Sequence, residues 1–278
     1  MDKAELYRRI AAEADQGELV FPSHAELGLR IKHALDDPDC STDRAAKLIQ
    51  ADPLLSARVV AVANSVAYNR SGKEIADVRQ AVSRLGFRTL HSLTMSVLMK
   101  QLSGQPSRPE HKLIAQKLWE HTAHVAALSQ VIARRVTHQD PETALFAGIL
   151  HEVAGFYLIS RAKDDPELLE GDLVGWQGEG ECSVGAALLK LLKVPEPVAT
   201  AIDYFWQGYL SIPPLALGDT LLLAEQLSPV PSPLYWAPDT TNAPAEKPQI
   251  EIVLDEETLT GVLAESAAEV QSLIGALK

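Results

Sequence analysis

Cysteine is nearly absent: Cys40 and Cys182 are the only two in 278 residues. Two thiols so far apart exclude a disulfide framework and fit a reducing compartment, so the cytoplasm is the expected location. Long apolar runs are missing too. None approaches the length that spans a bilayer, and the opening MDKAELYRRI lacks an apolar signal core and reads as an amphipathic helix. No stretch sustains the period-two alternation of a half-buried strand, and no internal repeat is evident. Residues 250–254 could form one short strand, with nothing obvious to pair with it. Basic charge is scarce in the second part of the chain. Residues 104–278 carry 11 Lys+Arg against 24 Asp+Glu, whereas residues 1–103 carry 14 against 13, within a total of −12. An acidic half repels phosphate backbones, which argues against broad nucleic-acid binding and leaves room only for a local basic patch in the first half.

What is present is a run of helices with legible ends. The composition, 46% hydrophobic and 22% charged, is ordinary for a globular chain with one large domain or two small ones. Residues 2–15 read as a helix ended by Gly17. Ser23 with Glu26 is a capping pair that opens a helix over 25–35, and Asp36-Asp37-Pro38 breaks it. Ser41 caps a helix to Ile49, and Asp52-Pro53 opens the next, with Leu55, Val59, Val62 and Ala63 on one face. Asp77 with Gln80 starts a short helix that stops at Gly86, and residues 87–102 are helical again. Ser103 to Pro109 is the first composition break. A long alanine-rich helix spans 110–136. Asp140-Pro141 then caps a strongly apolar helix, and later helices begin at Cys182, at Pro195-Glu196-Pro197 and at Pro213-Pro214. Six prolines between Pro229 and Pro248 mark a linker, followed by an amphipathic helix over 256–276. The class is all-α.

The apolar helix over 144–159, ALFAGILHEVAGFYLI, holds His151 and Glu152 side by side. A helix apolar on all sides is buried, and a buried imidazole and carboxylate are costly unless a metal, another polar side chain or each other pairs with them. His124, one turn from His121, reads as packing, and Cys182 among small residues reads as core. Arg84, Arg88 and His91 flank Gly86 at a helix start, where they are candidates to hold a phosphate or a small nucleotide. Trp176, in a glycine-bearing loop, is either an exposed contact or a plug in the core.

Several motifs occur in order: Phe21-Pro22-Ser23; Asp52-Pro53-Leu54 with Ala63-Asn64-Ser65; Ala81-Val82 through Leu85-Gly86-Phe87-Arg88; Trp119-Glu120-His121-Thr122; Ala147-Gly148-Ile149-Leu150-His151-Glu152; and Leu192 to Pro197. Together, over residues 19–228, they resemble the HDOD domain, a regulatory relative of the HD-superfamily metal-dependent phosphohydrolases. The resemblance implies two helical lobes, a small N-terminal bundle over 19–103 and an HD-like core over 110–228. An N-terminal helix (1–18), a Pro-rich linker (229–250) and a C-terminal helix (251–278) flank them. It also implies a bacterial signalling role.

A working HD centre holds a divalent metal on His, a His-Asp pair and a further Asp. Carried over, these positions are His121, His151 with Glu152 in place of Asp, and Asp219. Where binuclear relatives place more histidines, this chain has Cys182 and Tyr204-Phe205. The set therefore reads as vestigial, with no catalytic residue and no cofactor. The expected function is non-catalytic regulation through binding of signalling or regulatory proteins, with a small nucleotide as a further candidate ligand. The alternative is a residual metal-dependent phosphohydrolase acting on a nucleotide or cyclic dinucleotide.

Overall fold

The computed structural model describes residues 3–16, 26–104, 106, 108–171, 173, 175–235 and 256–277. Among these no strand occurs, and the chain is all-α. The Phe21-Pro22-Ser23 motif, Trp236, the 250–254 strand and most of the Pro-rich linker lie outside the described residues.

The first lobe is built from α2 (Glu26–Leu35), α3 (Thr42–Gln50), α4 (Pro53–Ala63) and α5 (Val78–Leu102). Its helices start where short polar side chains can hold the first free amides. Ser41 Oγ accepts from the Arg44 amide, Asp52 Oδ1 from those of Leu54 and Leu55, and Asp77 from that of Gln80. The expected break at Gly86 is a kink within α5: its φ of 73° and ψ of 169° leave the helix in a region that favours glycine. After α4, the Asn64 side chain bonds both the amide and the carbonyl of Ile75 and pins the intervening loop.

The second lobe is organised around α6 (Pro109–Ile132), in which every residue from His121 to Ile132 is buried. Small residues let its neighbours come close. A Cβ on Gly148 would stand 2.6 Å from Ala126 Cα, so α6 and α7 (Pro141–Leu150) pack backbone against backbone. Around them lie α8 (Val153–Arg161), α9 (Glu181–Leu191), α10 (Glu196–Gln207) and α11 (Leu217–Leu227). Because α5 also packs on α7 and α8, the two lobes share one continuous core.

The flanking helices are not appendages. The first, α1 (Lys3–Asp15), docks on the second lobe. Tyr7 meets Trp176 edge-on at 5.4 Å between centroids, Arg9 pairs with Asp165 at 2.8 Å, and Glu13 pairs with Arg161. Trp176 is thus a core plug with no exposed surface. The last, α12 (Glu256–Leu277), lies on α6 and α4 and so touches both lobes. Val270, Leu273, Ile274 and Leu277 are buried, each such side chain contributing about 1.5–3 kcal/mol. Ser272 accepts from the Val66 amide, and Arg134 pairs with Glu269.

Four expectations are corrected. The apolar helix over 144–159 is two helices, because Glu152 (φ −100°, ψ 20°) leaves helical geometry between α7 and α8. Taken whole, Pro141–Arg161 has the length and hydropathy of a membrane span, contrary to the reading that no run approaches one. It is 89% buried within the fold, as a core helix is. The helix expected at Pro213 begins at Leu217. Cys182 is half-buried rather than core.

Candidate functional site

The turn at His151-Glu152 delivers both side chains inward, toward His121 on α6. His121, His151 and Glu152 each offer one ligand atom, and these atoms lie within 4.8 Å of one another. Glu225, from the last turn of α11, joins them: its Oε2 is 3.0 Å from His121 Nε2 and 3.8 Å from His151 Nε2. Glu152 Oε1 stands 3.7 Å from His121 Nε2. Neither imidazole has any exposed surface, and Glu152 and Glu225 are 1% and 7% exposed.

The ring orientations are fixed from behind. His121 Nδ1 is 2.7 Å from the Val230 carbonyl, and His151 Nδ1 is 2.7 Å from the Gly148 carbonyl. A carbonyl only accepts, so both Nδ1 atoms carry hydrogen. The two Nε2 atoms, 3.1 Å apart, then point at each other. With both rings neutral, two lone pairs would meet. One positive charge between them, a proton or a metal ion, resolves the clash. Burial disfavours a charged His121, but the neighbouring Glu225 carboxylate, with Glu152 and the Val230 carbonyl adding to it, outweighs burial and raises its pKa.

The donor set also fits a divalent cation. Two nitrogens about 2.1 Å from one ion stand roughly 3 Å apart, as these do, and each histidine is oriented through its second nitrogen, as metal-bound imidazoles are. His121, His151, Glu152 and Glu225 are the residues that would hold it.

Two further groups close the cluster. Glu181, at the start of α9, is 2% exposed and accepts from the Tyr235 hydroxyl. Burial first, then the nearby Glu152 and Glu225 carboxylates, push its acid well above the usual carboxylate range despite that bond. Burial and Glu181 raise the Tyr235 phenol as well. The segment 228–235 forms a strap over the histidines. Val230 bonds His121, Leu234 is buried against Gly155, and Gln177 donates to the Leu234 carbonyl. This strap is the beginning of the stretch expected to be a linker. Phe205 seals another side, its ring edge-on to His151 at 5.4 Å.

The structure thus brings together His121, His151 and Glu152. It does not bring in Asp219, which is a correction. Both Asp219 oxygens are engaged at the start of α11, accepting from the amides of Ser211, Leu215 and Ala216. Glu225 supplies the carboxylate expected of Asp219. A signal for it lay in the sequence: in LGDTLLLAEQL an acid in the first turn can cap, whereas an acid in the last turn of an apolar helix faces the negative end of the helix dipole and needs a partner. Glu181 and Tyr235 had no comparable signal.

The other candidates are held within the fold. Arg84 donates to the carbonyls of Ala63 and Lys73, Arg88 pairs with Asp140 at 3.1 Å, and His91 bonds Asp36 at 3.0 Å. His124 bonds the Glu120 carbonyl one turn back.

The family model for the HDOD domain matches residues 21–207. No curated protein matches the chain. Among solved structures, a candidate metal-dependent phosphohydrolase from Shewanella amazonensis SB2B aligns over 99% of both chains at 19% identity and a TM-score of 0.72. An HDOD domain protein of unknown function from Geobacter sulfurreducens aligns over 99% of both chains at 22% identity and 0.62. A candidate signal transduction protein from Marinobacter aquaeolei VT8 aligns at 20% identity and 0.58, over 99% of this chain and 66% of its own. At such identities the likeness establishes the fold alone.

Proposed function

We propose that this chain, which belongs to the HDOD family, is a non-catalytic regulatory protein that acts by binding other proteins of a signalling system. The observation that carries the reading is the sealing of the centre. Hydrolysis of a phosphoester needs water and substrate at the ion, and both imidazoles here have no exposed surface beneath the 228–235 strap. A charged, closed cluster of this kind holds α6, α7 and α11 in register instead. The two free thiols fit a cytoplasmic setting.

One observation favours a second reading, a residual metal-dependent phosphohydrolase: the 3.1 Å spacing of the Nε2 atoms suits a shared cation. A divalent ion there would supply an activated water when bound. The test is reconstitution. A partner captured with the full chain and then purified should bind it stoichiometrically, and His151→Ala should retain that binding. Stoichiometric metal in protein purified without chelator, together with phosphodiesterase turnover, would overturn the reading.

A further inference from the structure

Between the end of α10 and the start of α11 the chain turns through residues 208–216 and leaves apolar side chains in solvent. Tyr209, Ile212 and Leu215 are 71%, 62% and 63% exposed, more than any other large apolar side chain among the described residues, and Tyr204 in the last turn of α10 is 51% exposed. Residues 204–218, YFWQGYLSIPPLALG, also carry no Lys, Arg, Asp or Glu, the longest such run in a chain that is 22% charged.

These side chains stand together. Asp219, 2% exposed, accepts from the amides of Ser211 at 2.8 Å, Leu215 at 2.9 Å and Ala216 at 2.8 Å, so the backbone around Ile212 and Leu215 converges on one carboxylate. Gly218, next to it, lies so close to α10 that an added Cβ would stand 2.8 Å from Tyr204 Cβ. Tyr204 therefore borders the same loop. Gln139 donates to the Leu215 carbonyl at 2.6 Å, and Pro214 is buried, which fastens the loop at two more points. The acid that stands nearest the family's last metal ligand in sequence thus organises a loop whose apolar side chains face outward. A loop braced in this way loses little further freedom on binding. Exposed apolar residues scattered singly are ordinary, whereas a gathered set marks an interaction surface.

The missing charge says what that surface faces. A two-fold contact sets a patch against itself, so an acid within it would meet an acid. Copies of a chain of net charge −12 approach each other most readily through a face that has no charge. A partner steered by charge finds nothing here to pair with. Depletion of charge with tyrosine present is also the composition of the centre of a homodimer interface. We propose that the 204–216 surface is a two-fold contact between two copies of this chain, with Tyr209, Ile212 and Leu215 at its centre and Tyr204 beside them. Such a dimer stands whether or not the buried histidine cluster is catalytic.

The experiment is analytical ultracentrifugation of the full chain over a concentration series. The chain should pass from monomer to dimer with a Kd of about 50 μM or tighter. Ile212→Asp and Leu215→Asp each place an unpaired charge twice in a two-fold contact, and each should weaken the dimer by about tenfold or more. Leu113→Asp, at a 52% exposed position in the second turn of α6, at the end of that helix away from Gln139, should leave the dimer unchanged. Raising NaCl from about 0.05 M to about 0.5 M should hold or tighten the dimer, because salt screens the like charges of the two copies and an uncharged contact has none to lose. In the wild type, hydroxyl-radical labelling of Tyr209 should fall as the dimer forms. Circular dichroism shows whether the variants are folded. The proposal is overturned by a chain that stays monomeric up to about 200 μM, by a dimer that both folded Asp variants leave unchanged, by a dimer that salt dissolves, or by Tyr209 labelling that is low at every concentration, which would mean that another part of the same chain covers the patch.

Discussion

The antiparallel pair α6 and α7 carries two buried polar clusters at two levels, and they are built on opposite principles. One holds His121 and His151. The other lies nine residues further along each helix, about 13.5 Å away, and holds Gln130 and Glu142. In the Glu142 cluster every contact joins a donor to an acceptor. Tyr68 donates to Glu142 at 2.8 Å, Thr89 donates to it at 2.7 Å, and Gln130 donates to Tyr68 at 2.8 Å and to Glu142 at 3.2 Å. Tyr68 and Thr89 come from the first lobe, Gln130 and Glu142 from the second, so this network ties the lobes together. Burial and the Glu142 carboxylate hold the Tyr68 phenol protonated, well above its ordinary range. The histidine cluster instead gathers three acids and two facing Nε2 atoms, and it is coherent only with an added positive charge. The Glu142 cluster pairs its donors without an added charge, leaving the Gln130 Oε1 as its one atom with no hydrogen-bond partner among the described residues; the histidine cluster needs a proton or an ion between its Nε2 atoms. The same two helices thus carry a half-buried clamp between the lobes at one level and, at the other, a fully buried cluster whose facing nitrogens need a shared positive charge.

Breaking the clamp should have the largest effect. Glu142→Ala removes the shared acceptor of Tyr68, Thr89 and Gln130, and should cost about 3 kcal/mol in chemical denaturation. Next comes the spacing that both clusters rely on. Gly148→Ala places a methyl within 2.6 Å of Ala126 Cα and should cost about 2 kcal/mol while displacing His151, which leans on the Gly148 carbonyl. Removing an acid from the histidine cluster should act in the opposite direction. Glu181→Gln keeps an acceptor for Tyr235, removes an acid whose ionised form is disfavoured first by burial and then by Glu152 and Glu225, and should raise stability by about 1 kcal/mol at neutral pH.

The smallest effect is a pH slope beside the clamp. His91 packs on Phe146, with Asp36 and Lys32 nearby. Burial lowers its pKa although Asp36 opposes the shift. A histidine depressed in the fold contributes stability that is present above its unfolded pKa of about 6.5 and is lost as pH falls through the folded value. The melting temperature of the wild type should therefore fall more steeply below pH 6.5 than that of His91→Gln.

Much of this was legible in the residues because it is local. Ser41, Asp52, Asp77 and Asp140 cap the helices that their neighbours predict, since a cap is made within three residues of the amide it serves. Gly86 marks a kink because no other residue tolerates its φ cheaply. His121 and His151 could be placed because a motif carries them. The remainder of the cluster depends on distance in space. Asp219 and Glu225 are both acids on α11, and only the packing of α11 on α6 decides which one faces the imidazoles. Asp219 is where a local rule prevailed over a positional analogy: three amides of the preceding loop, those of Ser211, Leu215 and Ala216, claim it. The strap misleads for a related reason. Pro229, Pro231 and Pro233 speak against a helix, and the strap is indeed bends and a turn, but Ser232 and Leu234 are each 1% exposed because the folded second lobe offers them a surface.

What remains decisive is whether the closed cluster retains chemistry. The direct measurement is phosphodiesterase activity toward nucleotide and cyclic dinucleotide substrates with added manganese or magnesium, for the wild type and His151→Ala. A sealed, non-catalytic centre gives no turnover above buffer for either protein. Wild-type turnover that His151→Ala abolishes would contradict it.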